Sequence, residues 1–279
     1  MPNRLAYLGP PGTFSEQAAI DYDPQSQAVP FLTIPMVFAS VGDGLADEAI
    51  LPIENSLEGS VTYTLDLLIH QTDLKIKCEQ VVSIVHCLLA DKGTDLEDVQ
   101  VVYSHPQALA QCREYLAKNL PRTTHVASLS TSGALEDMRI SKVPAVAIST
   151  HRAAKLYSAN VVERGIEDVV NNQTRFVVLA PQDHARTGRD KTSVCLDFGS
   201  DEPGILYRTL GELAERDINL VKIESRPDRR SLGRYVFLID MEGHREDPPV
   251  SEALGALKSR ASMFKVLGSY PVAVDSAVS

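Results

Sequence analysis

The sequence lacks most of the signals that would classify it early. No run of Lys and Arg is long enough to follow a phosphate backbone, and 27 Lys+Arg against 37 Asp+Glu leave a formal charge of −10 over 279 residues. Nucleic acid is therefore not an expected partner. The most apolar stretch, Val81 to Ala90, is interrupted by Ser83 and His86 and falls short of the ~18 apolar residues a membrane span requires. Cys78, Cys87, Cys112 and Cys195 stand singly, with no C-x-x-C pair. That removes a disulfide framework and a zinc knuckle, and the four read as small core hydrophobes. There is no G-x-G-x-x-G, G-K-[ST], G-x-S-x-G or H-E-x-x-H, and no Cys/His cluster, so dinucleotide, nucleoside triphosphate, serine hydrolase and zinc chemistry lose their usual signatures. No metal site is expected. Met1 runs directly into Arg4–Leu8 without a basic, then apolar, leader, which predicts a cytoplasmic protein.

What is present is an ordinary globular composition, 44% apolar and 23% charged, with a length that predicts two domains at about 150 residues each. Up to residue 180, short β-rich runs (4–8, 48–53, 99–103, 145–149, 176–179) alternate with helical stretches (14–20, 61–70, 107–117, 133–139, 152–157). This alternation predicts an α/β domain with a largely parallel sheet. The polar segment 181–191 reads as a linker. Residues 192–279 follow the order strand, helix, strand, strand, helix, strand, a ferredoxin-like βαββαβ unit.

Polar turns follow three strands of the first domain. Thr13 with Glu16, and Ser104 with Gln107, have capping-box spacing, and Glu54–Ser60 is polar and small before a helical run. Helix N-termini at carboxyl strand ends favour a small anion. Because the protein is net negative, the attraction must be local, and Arg175 is the obvious cation for it. Taken singly, each capping box reads as structural; His105 and His151 read as caps or surface histidines before they read as catalysts.

Five ordered motifs then carry a resemblance: Gly9-Pro10-Pro11-Gly12-Thr13-Phe14-Ser15, Pro52-Ile53-Glu54-Asn55-Ser56-Leu57-Glu58-Gly59-Ser60-Val61, Ser104-His105-Pro106-Gln107-Ala108 with Gln111-Cys112, Asn172-Gln173-Thr174-Arg175-Phe176, and Glu224-Ser225-Arg226-Pro227. Together they resemble prephenate dehydratase with a C-terminal ACT regulatory domain. The resemblance implies a catalytic domain over 1–180, built as two α/β lobes like a type II periplasmic-binding protein with the site in the cleft between them, and an ACT domain over 192–279. It implies decarboxylative dehydration of prephenate to phenylpyruvate without a cofactor, in L-phenylalanine biosynthesis, with L-phenylalanine as feedback effector at the interfaces of a homodimer or homotetramer. By the same resemblance Thr174 is the donor to the leaving hydroxyl and Arg175 the carboxylate clamp, with Asn55, Ser104 and Gln111 as further catalytic residues. Gln111 lies seven residues beyond Ser104, two turns along one helix face, which places both in one space. Thr13, Ser15, Glu54, Ser56 and Phe176 are implied substrate contacts. Gly204, Ile205, Leu206, Asn219, Leu220, Glu224, Ser225 and Arg226 are implied L-phenylalanine contacts, Ile205 departing from the family's Gly-Ala-Leu pattern; the bland alternative for Arg226 is a surface salt bridge. Two other readings stay open: arogenate dehydratase, and a non-catalytic two-lobed anion-binding protein with an attached amino-acid sensor.

Overall fold

The computed structural model describes residues 2–199, 202–228 and 234–273. In chain order its elements are β1 (Arg4–Leu8), α1 (Phe14–Tyr22), β2 (Gln27–Phe31), α2 (Ile34–Gly42), β3 (Glu48–Asn55), β4 (Gly59–Ser60), α3 (Thr62–His70), β5 (Lys75–Ser83), β6 (Cys87–Ala90), β7 (Val101–Ser104), α4 (Pro106–Gln111), α5 (Arg113–Asn119), β8 (Thr124–Ala127), α6 (Gly133–Ile140), β9 (Ala145–Ser149), α7 (His151–Leu156), β10 (Asn160–Arg164), β11 (Gln173–Ala180), β12 (Asp190–Asp197), α8 (Ile205–Ala214), β13 (Leu220–Pro227), β14 (Tyr235–Glu242), α9 (Pro248–Arg260) and β15 (Met263–Pro271). Three sheets result: β2-β1-β3-β11-β5 with β4 on β3, β10-β6-β9-β7-β8, and β13-β14-β12-β15. The chain falls into two compact units, Met1–Val61 with Val81–Phe176, and Thr62–Gln80 with Val177–Ser279.

In the first unit β1 pairs in parallel with β2 and β3, and β7 in parallel with β8 and β9. The parallel expectation fails at β6, which is antiparallel to both β9 and β10. A parallel connection needs a crossover helix, and β6 is instead entered from β5 through three residues, Ile84–His86. The second sheet is covered on both faces: Leu88, Val102, Val146 and Ile148 pack on Ala108, Cys112 and Leu116, while Cys87, Leu89 and Ala147 pack on Leu135, Met138 and Ala153. Alternate residues of one strand thus serve opposite cores. The helix expected over 107–117 breaks at Cys112 into α4 and α5. Strands β2 and β8, edge strands of their sheets, have no counterpart in the sequence pattern. One holds a proline and the other is exposed throughout, as edge strands tolerate.

The second unit contains the βαββαβ order that was expected, with β12 antiparallel to β14 and β15 and β13 antiparallel to β14. Val194, Leu196, Ile239 and Met241 pack against Leu213, Val250, Ala253 and Leu257 of the two helices. Strand β12 begins at Asp190, inside the polar segment read as a linker, because the Asp190 carboxylate accepts from the Thr187 and Gly188 amides and closes the turn. Residues of α3 and β5 belong to this unit as well. Lys75 and Lys265 donate to the carbonyls of Val266 and Leu68, and Lys191 meets Glu79 at 3.0 Å, both buried. At Gly268 a Cβ would fall 2.2 Å from the Ile76 carbonyl oxygen, so only glycine admits this approach.

Candidate active site

Side chains alternate across a strand, and β3 and β11 are neighbours. Asn55, Thr174 and Phe176 therefore share one face and line a cavity of about 510 Å³. Glu54 and Arg175 occupy the other, where they form an ion pair at 3.6 Å. The remaining walls come from Leu8 and Phe14, from Pro52 and Val61, from Ile84 and His86, and from His105, Gln107, Ala108 and Gln111 around α4. The cavity is mostly apolar, with neutral amides, imidazoles and hydroxyls as its polar groups.

A continuous hydrogen-bond chain runs through it. The Asn55 Oδ1 accepts the amides of Leu57 and Glu58, each at 3.0 Å. Its Nδ2 donates to Asn172 Oδ1 at 2.8 Å and to Thr174 Oγ1 at 2.9 Å. Asn172 Nδ2 donates to Gln111 Oε1 at 3.2 Å, and His86 Nε2 lies 2.9 Å from the same oxygen. Burial lowers the pKa of His86, against the opposing pull of Gln111 and Glu167, and burial likewise lowers that of His105. Both rings are neutral at neutral pH.

The turn that presents Phe14 is clasped from the second sheet. Gly12 takes φ +86°, and a Cβ there would meet Ala153 Cβ at 3.1 Å and Ser132 Cβ at 3.2 Å; both the conformation and the space demand glycine. Thr150 donates to the Gly12 carbonyl at 2.6 Å, and the Glu16 carboxylate takes the Gly12 amide at 2.7 Å and Arg152 at 2.5 Å. Burial disfavours the Glu16 charge, but the Arg152 and Gly12 donors outweigh it and hold the carboxyl below its ordinary range. The Phe14 ring then meets His86 edge-on, centroids 5.7 Å apart.

The prephenate dehydratase family model matches residues 5–184, and the ACT domain model matches residues 193–259. The chain belongs to the prephenate dehydratase family. A bifunctional chorismate mutase/prephenate dehydratase of Aquifex aeolicus is 44% identical over 97% of this chain and 74% of its own length. A prephenate dehydratase of Arthrobacter aurescens, solved in complex with L-Phe, superposes with a TM-score of 0.89 at 35% identity, covering 96% of this chain and 90% of that one. A protein described as GqqA, a novel type of quorum quenching acylase, superposes with a TM-score of 0.86 at 31% identity, covering 97% and 98%.

For a prephenate dehydratase, the structure brings together Thr174, Asn55, Gln111 and Phe176, but not every residue the motifs suggest. Arg175 faces Glu54, because adjacent strand residues cannot share a face with Thr174. Ser104 is fully buried and donates to the Ile148 carbonyl at 2.7 Å. It ends β7 rather than opening a helix; His105 is the N-cap of α4, accepting from Gln107, so the seven-residue helix spacing to Gln111 does not apply. Thr13 caps α1, and Ser15 is buried in its first turn. Ser56 accepts the Gln173 amide and contacts Asn172, one step behind the cavity wall.

In the ACT unit, Gly204 caps α8 with φ +80°, and Ile205 and Leu206 open that helix, whereas Asn219 and Leu220 follow its far end. Ser225 is exposed on β13. Arg226 is no surface salt bridge: it is buried, meeting Asp66 at 3.0 Å, the Thr62 carbonyl at 3.3 Å and Glu224 at 3.1 Å. The sequence motifs pass over His86, and Asn172 stands in one of them without an assigned role. Their only sequence signal is polarity out of place, His86 in the most apolar stretch and Asn172 one residue before a strand. Among the described residues no three His, Cys, Asp or Glu side chains are grouped to hold a metal, and no helix is long and apolar enough to cross a membrane.

Proposed function

We propose that the chain converts prephenate to phenylpyruvate, water and CO2 in L-phenylalanine biosynthesis, under feedback by L-phenylalanine. The Asn55–Thr174 pair in the cavity carries this reading. In the reaction the bond to the ring carboxylate breaks, its electron pair enters the ring, and the opposite C–O bond breaks. CO2 leaves neutral, the departing hydroxide takes a proton to become water, and the ring becomes aromatic. The electron pair stays within the substrate, so no hydride or oxidant enters the balance. Thr174 accepts from Asn55, which leaves its own O–H to donate to the leaving oxygen. A threonine hydroxyl is a weak acid, so it stabilises developing charge and relays a proton rather than acting as a strong acid. The apolar wall of Phe14, Ile84 and Phe176 disfavours the charged carboxylate more than the charge-dispersed transition state. Gln107, Gln111 and Thr131 supply neutral donors for orientation, the part first expected of Arg175, which instead braces Glu54 behind the wall.

The likeness to an acylase does not displace this reading. Acyl transfer by a side chain needs a nucleophile beside a base, and the Thr174 hydroxyl has the Asn55 amide, which is no base, at 2.9 Å.

Residues 1–180 act as the catalytic domain and 192–279 as the regulatory ACT domain, joined through 181–191, and the protein works in the cytoplasm. Its effector contacts are divided by α8, whose ten residues span about 15 Å. A single amino acid cannot touch Ile205 and Asn219 of one chain, so a second copy completes the site. Edge strand β13, with Val221 and Ile223 exposed, suits that role in a homodimer or homotetramer. The test is turnover by purified protein in chelator without cofactor. Phenylpyruvate formation, suppressed by L-phenylalanine, is expected; no product from prephenate would overturn the function.

A further inference from the structure

We propose that His86 is a positioning residue of this site, which as the neutral Nε2–H tautomer fixes the direction in which the Gln111 amide faces. The proposal deepens the dehydratase reading and rests on it. The polarity of the whole hydrogen-bond chain follows from two backbone groups that cannot be reversed. The amides of Leu57 and Glu58 both point at one side-chain atom of Asn55, so that atom is the oxygen. The Asn55 nitrogen must then donate, which makes the facing atom of Asn172 its oxygen. The Asn172 nitrogen therefore donates in turn, and the Gln111 atom it reaches, 3.2 Å away, is Oε1. An amide oxygen only accepts, so His86 Nε2, 2.9 Å from it, carries the proton.

Two donors on Oε1 turn the Gln111 NH2 group the other way, where it has Glu58 Oε1 at 3.4 Å and the cavity it lines. Without the imidazole, Asn172 alone holds Oε1 and the amide can rotate or flip. His86 is itself held. Its backbone amide donates to Glu167 at 2.8 Å, its carbonyl accepts from Gly165 at 2.9 Å, and the Phe14 ring abuts its imidazole. Its Nδ1 is buried without a hydrogen-bond partner. A proton there would be buried unpaired, which disfavours both the Nδ1–H tautomer and the doubly protonated ring. The Glu167 carboxylate is the charged group set against this, and burial outweighs it.

The substitutions His86→Gln and His86→Leu separate positioning from packing. A glutamine can carry its amide nitrogen to roughly the place of Nε2, while leucine fills space without a donor. Expected are a fall of tenfold or more in kcat/KM for prephenate in His86→Leu, with most of it recovered in His86→Gln, at equal near-UV circular dichroism. Equal activity in both variants, whether both high or both low, would overturn the positioning role. Nitrogen-15 spectra of the wild-type imidazoles supply a readout independent of turnover and of variant folding: a protonated Nε2 and a bare Nδ1 at neutral pH are expected. An Nδ1–H or doubly protonated His86 would overturn the tautomer. Failure of the wild type to turn over prephenate would instead defeat the dehydratase reading, leaving the spectral result to decide the tautomer alone.

Discussion

Asn55 donates its side-chain amide to the hydroxyl of Thr174 across 2.9 Å, joining residues 119 positions apart in the chain. The contact occupies an acceptor site on the hydroxyl oxygen and leaves its proton for another partner. Hydrogen bonds in series strengthen one another, so a hydroxyl that accepts from Asn55 is a better donor toward the cavity. The orientation is fixed from behind, since Asn55 is itself anchored by two main-chain amides.

Thr174→Val keeps the β-branched shape and removes the donor. Loss of one donor to a developing oxyanion costs about 10²–10³ in kcat, and that is the expected fall, with KM little changed. Thr174→Ser retains the hydroxyl on a less restricted rotor and is expected to lie between. Steady-state kinetics on prephenate check both, and a valine variant near wild-type kcat would remove Thr174 from the chemistry.

Asn55→Asp tests polarity rather than presence. The new carboxylate still accepts from Leu57 and Glu58, but its second oxygen faces Asn172 Oδ1 and Thr174 Oγ1, which both received donors before. Thr174 would then turn its proton onto that carboxylate in place of the substrate. We expect kcat to drop by about two orders of magnitude or more with the fold retained, read by kinetics beside circular dichroism.

The cavity was legible in the sequence in part, and the limits are physical. Asn55 and Thr174 both stand in motifs, and they meet because β3 ends at Asn55 where its neighbour β11 begins at Gln173. Arg175 misleads because linear adjacency to Thr174 says nothing of the face it takes, which the strand pleat reverses. Ser104 misleads for a related reason: the helix period starts only at Pro106, so the spacing to Gln111 crosses a strand–helix junction. His86 needs the three-dimensional partner Gln111 to acquire meaning. The βαββαβ order is local and was readable, whereas the docking of Arg226 on Asp66 spans 160 positions and leaves no periodic trace.

Glu16 gives the first unit an acid-sensitive contact. Its carboxyl is held below the usual range despite burial, by Arg152 and the Gly12 amide. A depressed folded pKa means that the stabilisation is present above the unfolded value, about 4.3, and is lost as pH falls through the folded value. Glu16→Gln is expected to lower stability at pH 7 and to flatten the decline below about pH 4.3. Urea midpoints measured from pH 3 to 7 check this; parallel curves for variant and wild type would contradict it.

Arg226 connects the regulatory sheet to α3, which begins one residue after Val61 of the cavity wall. Arg226→Met leaves the Asp66 carboxylate buried without its guanidinium, and breaking such a pair costs about 3–5 kcal/mol. The double substitution with Asp66→Leu is expected to recover most of that loss in urea unfolding. With the pair gone, turnover in the double variant should no longer respond to L-phenylalanine even where calorimetry shows the effector still bound, because β13, the proposed effector strand, has lost its grip on the helix that leads to the cavity. Retained inhibition would direct the coupling through residues 181–191 instead.

The cavity also sets a preference between two substrates that differ in one group. Prephenate carries a side-chain ketone where arogenate carries an ammonium. Among the described residues lining the cavity there is no Asp or Glu, and its polar groups are Asn55, Gln107, Gln111, Thr131, Thr174 and two histidines, His86 and His105, that burial keeps neutral. A ketone accepts from such donors at little cost. An ammonium must be desolvated without a counter-charge, which is expensive in an apolar enclosure. We therefore expect kcat/KM for prephenate to exceed that for arogenate by about tenfold or more, which corresponds to at least about 1.4 kcal/mol of discrimination. Competition between the two substrates in one reaction, with phenylpyruvate and phenylalanine separated by chromatography, measures the ratio directly, and a ratio near one would mean that a carboxylate such as Glu58 reaches the bound amine.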